Sequence, residues 1–112
     1  MKPLRVPALS VLIVSITGKC RAGTDTYNEI GGVSCGAWTS ERKIDSFLAK
    51  GFEYWVVGFI SGVNWSTAGN LGGGTDNPGL YAFIDNYCAP HPLDDLGQAV
   101  GALIVELRKT GQ

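Results

Sequence analysis

Three cysteines, Cys20, Cys35 and Cys88, constrain this chain more than any other feature, because their pairing decides whether a covalent staple exists. A chain of 112 residues has room for one domain, and a domain of that size buries only a modest share of its surface. A staple would therefore supply a large part of its stability. Whether the cysteine count is odd or even depends on the fate of the N-terminus.

The N-terminus has its own composition. Lys2, Arg5, Lys19 and Arg21 are four of the nine basic residues, and every acidic residue lies at Asp25 or later. A basic start, an apolar stretch from Ala8 to Ile16, and small residues at Cys20 and Ala22 read as a secretory signal peptide over residues 1–22. Cleavage is expected after Ala22. The apolar stretch is much shorter than the roughly 20 residues that span a bilayer, so no stable membrane span is expected. A lipid-modified Cys20 would want a leucine-like residue and a small residue where Thr17 and Lys19 stand. If Cys20 leaves with the signal, Cys35 and Cys88 remain as an even pair in an oxidising compartment, periplasmic or extracellular and bacterial. A disulfide between them is expected, with two buried thiols as the alternative. Closing a loop of this length stabilises by about 4 kcal/mol.

Without residues 1–22 the chain carries ten acidic residues against five basic ones, a net of -5. That surface excludes nucleic acid as a partner, because phosphates demand a basic one.

Residues 23–33 are polar and glycine-bearing with no sustained period, and read as a flexible lead-in to a single helical domain over residues 34–112. Ser34 caps a short helix that places Cys35, Trp38 and Arg42 near one face, although Gly36 weakens it. From Asp45 to Ala68, Leu48, Phe52, Trp55, Val56, Phe59, Ile60 and Val63 recur at helical spacing. Gly51 is a candidate kink. Gly58 and Gly62 leave a smooth strip where another helix of the bundle is expected to pack closely. Residues 69–79 form a glycine-rich loop, after which Asp76 or Asn77 caps a helix with Pro78 in its first turn. That helix carries Leu80, Phe83, Ile84, Tyr87 and Cys88 inward, and Pro90 and Pro92 end it. A last helix begins near Leu93 to Asp95 and runs to Lys109, with Leu93, Leu96, Val100, Leu103, Ile104 and Leu107 as its apolar stripe. Its terminal charges complement the helix dipole. The fold class is all-α, a small bundle of about four helices closed by one disulfide.

No residue set amounts to catalytic machinery. His91, the single histidine, lies between two prolines and lacks companion metal ligands once the cysteines pair. Ser61 sits in mid-helix rather than at a strand-to-helix turn. The Gly72-Gly73-Gly74 run lacks the Lys-Ser or Lys-Thr pair of a phosphate loop, and Asp76 would repel a phosphate. Asp94 and Asp95 diverge around the helix axis and read as caps. The chain is expected to be no enzyme and to need no cofactor and no metal. Its aromatic inventory exceeds what one small core holds, so Tyr54, Trp65 and Tyr81 are the candidate partner surface.

Three stretches carry a resemblance: Ser34-Cys35-Gly36-Ala37-Trp38, Tyr54-Trp55-Val56-Val57-Gly58-Phe59, and Tyr87-Cys88-Ala89-Pro90-His91-Pro92 before a closing amphipathic helix. Together, over about Ser34 to Leu107, the pattern resembles the HdeA/HdeB acid-stress chaperones. Cys35, Cys88 and Pro92 match position by position, whereas the glycine-rich loop and the longer last helix depart from the family. The resemblance implies a periplasmic holdase that binds unfolded clients on acidification, with a homodimer as one possible state. Glu41, Glu53, Asp85 and Glu106 are then the candidate acid-responsive carboxylates. The long helix after a proline turn is also similar to the Tai and Rap group of immunity proteins, which neutralise secreted peptidoglycan amidases. That alternative implies a single protein partner, met by the loop over residues 69–79.

Overall fold

Four side chains able to cap a helix, Ser34, Ser46, Asp76 and Asp95, each stand at the start of one. The computed structural model describes Pro3 and residues 28–112; the expected signal peptide and the first half of the lead-in lie otherwise outside the described residues. The helices are α1 (Cys35–Lys43), α2 (Phe47–Thr67), α3 (Asn77–Cys88) and α4 (Leu96–Thr110), with no strands among the described residues. The all-helical expectation and the pairing of Cys35 with Cys88 both hold, the two Cα atoms lying 4.8 Å apart.

The boundaries follow from local chemistry. Ser34 accepts a hydrogen bond from the Ala37 amide and Ser46 from the Ala49 amide. Pro78 occupies the first turn of α3, where its missing N–H costs nothing. Asp95 and Gln98 form a reciprocal capping box on α4, each side chain serving the other's backbone amide. Leu93, expected on the apolar stripe of α4, is therefore left in the turn before the cap and is 97% exposed. Gly111, at φ 71°, closes α4 in the left-handed region.

The core is organised around Trp38, which is fully buried with the disulfide, Val56, Ile84, Leu96 and Val100. α4 contributes the most, burying Leu96, Gly97, Ala99, Val100, Leu103, Ile104 and Leu107. In α2 the inward face is Ala49, Glu53, Val56 and Ile60, with Phe52, Trp55, Phe59 and Val63 at its margin. Leu48 belongs outside that arc and is more than half exposed, because the helix is turned to bring Glu53 inward. Gly51 does not interrupt α2. Gly58 and Gly62, expected to receive a neighbouring helix, point outward instead, with no described atom within 4 Å of where a side chain would begin.

The described end of the lead-in, residues 28–33, runs along the bundle. Trp55 Nε1 donates to the Ile30 carbonyl at 2.7 Å, and the Leu96 amide donates to the Val33 carbonyl at 2.7 Å. These bonds strap the segment to α2 and to the first turn of α4. Beyond α2, the Asn64 side chain both donates to and accepts from the Leu71 backbone, which braces the glycine-rich loop.

Candidate functional site

Arg42 lies in the last turn of α1, one turn after Trp38 and two after Cys35, so the helix period brings all three to the face that meets α2 and α3. Its Nη1 donates to Glu53 Oε1 on α2 at 2.8 Å. Its Nη2 and Nε donate to the two carboxylate oxygens of Asp85 on α3, at 2.6 and 3.0 Å. The planar guanidinium thus uses its fork on one acid and a free edge on another. Asp85 Oδ1 also accepts from Trp38 Nε1 at 2.8 Å, which satisfies the polar atom of an otherwise buried ring.

Aromatic rings frame the cation. The guanidinium carbon stands 5.3 Å from the Trp38 ring and 5.5 Å from the Tyr81 ring, within reach of cation–π attraction. The hydrogen bonds that Arg42 donates to Asp85 raise its pKa above its already high ordinary value, so the group stays charged at every working pH. Burial raises the Tyr81 phenol in turn. Lys50 extends the network, reaching Asp45 at 2.8 Å and Glu53 at 3.5 Å. An open cleft of about 460 Å³ beside it is lined by Thr39, Arg42, Lys43, Asp45 and Asp85.

Of the four candidate carboxylates, the structure brings Glu53 and Asp85 together on Arg42. Glu53 is almost fully buried, an unusual place for a carboxylate without a partner. Glu41 accepts a hydrogen bond from the Ser46 hydroxyl and helps fix the α1–α2 turn. Glu106 stands apart on α4, beside Phe83 of α3. Among the candidate partner residues, Tyr54 and Trp65 are exposed on α2, whereas Tyr81 is held in the Arg42 cluster.

Arg42 lies on the face that the helix period predicts for it, and its partners come from two other helices. The signal for its role is the combination of a buried tryptophan one turn earlier and acids on two other helices, which becomes legible only once those helices are neighbours.

His91 and Ser61 both make their contacts within their own segments. His91 is exposed, stacks on Tyr87 at 4.7 Å and lies 2.7 Å from the Tyr87 carbonyl. The Ser61 hydroxyl donates to the Val57 carbonyl of its own helix. Among the described residues no group of His, Cys, Asp and Glu could hold a metal ion, and no helix is long and apolar enough to cross a membrane. Comparison with family profiles, curated proteins and solved structures finds no match for this chain.

Proposed function

We propose that the chain is an exported, non-enzymatic protein-binding protein that acts as an acid-triggered holdase for unfolded clients. The observation that carries this reading is the sharing of one guanidinium between Glu53 and Asp85, which makes the seating of α2 depend on carboxylate charge. At neutral pH the cluster is balanced, two carboxylates around Arg42 with Lys50 alongside. In strong acid carboxylates lose their charge, while Arg42 keeps its own. A cation then remains in a half-buried site without its counter-ions, which favours opening.

The disulfide decides which part opens. It cross-links α1 to α3, so those helices stay together, while α2 is joined to them only through its flanking turn and loop. Lifting α2 uncovers Val56 and Ile60 together with the Trp38, Leu96 and Val100 surface they cover, an apolar face suited to unfolded chains. The test is size, apolar-dye binding and protection of an aggregating client by the oxidised protein at pH 7 and pH 2.5. A reversible rise in dye binding with client protection is expected. A compact, dye-negative species at pH 2.5 that protects nothing overturns the proposal.

A second reading, an immunity protein against a secreted peptidoglycan amidase, draws on the loop between α2 and α3. Asn64 braces this exposed segment into a fixed shape at neutral pH, as a dedicated partner would require. Its mark would be nanomolar binding at pH 7 to one amidase, without response to acid.

A further inference from the structure

The outward face of α2 carries a regular pattern of exposed rings and small residues. Phe47, Gly51, Tyr54, Gly58, Ser61 and Trp65 recur at alternating spacings of four and three, the seam of a two-helix coiled coil. Phe47, Tyr54 and Trp65 are 92%, 74% and 88% exposed. No described atom lies within 4 Å of where a side chain at Gly51 or Gly58 would begin. From Tyr54 to Ala68 the helix carries no charged residue. The Ser61 hydroxyl is already bonded to its own helix, so it can be covered without loss.

We infer that this face is a homodimer interface, in which two copies pack α2 against α2 in antiparallel fashion about a twofold axis level with Val56. The order of large and small residues along the seam supports a second copy as the occupant. The six positions are symmetric about Val56. Antiparallel packing therefore sets Phe47 against Trp65 of the other copy, Gly51 against Ser61, and Tyr54 against Gly58. The ring of each Tyr54 meets the gap at Gly58, Gly51 meets Ser61, and the largest side chains close the two ends. A surface that complements itself in this way is what an isologous contact requires.

Area and charge agree with that occupant. Aromatic side chains bury about 150–250 Å² each, so the three exposed rings supply roughly 500 Å² per copy. Leu48 and the bare backbone at the glycines carry this toward the roughly 800 Å² per partner of a stable interface. An uncharged seam sets no like charges against each other across the axis, whereas a net charge of -5 over residues 23–112 disfavours association through the remaining surface. The inference stands independently of the acid-triggered reading, which concerns the opposite, inward face of α2.

The test is sedimentation velocity of the oxidised protein between about 1 and 200 µM at neutral pH, with variants on and off the seam. A dimer is expected, weakened about a hundredfold or more by Tyr54→Arg and by Gly58→Leu at unchanged helical circular dichroism. Val105→Arg, at an exposed apolar position on α4, is expected to leave it unchanged. For the register, Gly51→Cys and Ser61→Cys proteins are oxidised separately and mixed; cross-linking only in the mixture is expected. A monomer throughout the concentration range overturns the inference, whether or not the face then binds lipid vesicles or another protein. Self-linking of Gly51→Cys alone also overturns it, since that requires parallel helices.

Discussion

Arg42 reaches Glu53 at 2.8 Å while its other edge holds Asp85, so one side chain of α1 fixes the separation of α2 and α3. Each partner's desolvation is tolerable only because the other two are present. Arg42→Met is therefore expected to lower stability by about 2–3 kcal/mol, somewhat below the cost of breaking a fully buried pair. Adding Glu53→Met removes the stranded carboxylate and is expected to restore most of that loss. Urea unfolding of the single and double variants at pH 7 measures it through the double-mutant cycle. Additive losses would show that the two side chains act separately.

Glu29 answers acid with the opposite sign. Burial first, and then the charge of Asp95, raise its pKa above the ordinary glutamate value, against the pull of the Gly97 amide. A carboxyl whose folded-state pKa is raised opposes the folded state once ionised, and that penalty disappears as pH falls through the raised value. The strap over residues 28–33 should thus hold more tightly near pH 4.5 than at pH 7. Hydrogen exchange of the Leu96 amide, which bonds the Val33 carbonyl, reports it directly. Glu29→Gln is expected to raise protection at pH 7 and to leave it unchanged below pH 4.

Asp45 behaves in the ordinary way. Its hydrogen bond and ion pair with Lys50 lower its pKa, so the contribution is present above pH 3.8 and fades as pH falls through the lowered value. Because both groups are exposed, salt should screen most of it; Asp45→Asn is expected to cost little at physiological ionic strength.

Much of the architecture was legible because its signals are local. Ser34, Asp76, Pro78 and Asp95 mark helix starts by chemistry that acts within one turn. Most of the inward face of α2 was legible too, since Phe52, Trp55, Val56, Phe59, Ile60 and Val63 lie in or against the core; the places of Leu48 and Glu53 were not. Leu48 and Phe47 are as apolar as Val56, and only the ion pair with Arg42 explains why Glu53 turns inward and they turn out. Tyr81 misled for a similar reason: its ring reads as a surface aromatic until Trp38 and Arg42 are brought beside it by α1. The clamp joins residues 43 positions apart, and no period along the chain encodes that distance.

The disulfide carries a separate prediction. It closes the segment that contains all of α2 and the glycine-rich loop, and the chain-entropy model assigns such a closure about 4 kcal/mol. That is a large fraction of the 5–15 kcal/mol typical of a domain. The Cys35→Ser, Cys88→Ser protein is expected to unfold at a much lower urea concentration, with an accompanying loss of helical circular dichroism near body temperature. An unchanged midpoint would mean that α1 and α3 hold together without it.

Two helical glycines should respond to alanine with opposite signs. A glycine inside a helix costs about 0.5–1 kcal/mol relative to alanine, so each needs a reason to be there. At Gly36 the reason is proximity: its amide donates to the Pro92 carbonyl at 3.0 Å, and a Cβ would stand 3.3 Å from that same oxygen. The turn over residues 91–94 is held there by the preceding residue as well, since the Cys35 amide donates to the Asp94 carbonyl at 2.7 Å. It cannot retreat without losing both bonds, and Gly36→Ala is expected to cost about 1 kcal/mol despite better helix propensity. Gly101 on α4 meets no described atom within 4 Å. Gly101→Ala is expected to gain about 0.5–1 kcal/mol. Thermal unfolding of the two variants decides the matter: a gain at both sites would show that the turn yields, and a loss at both that α4 is covered at Gly101 in solution.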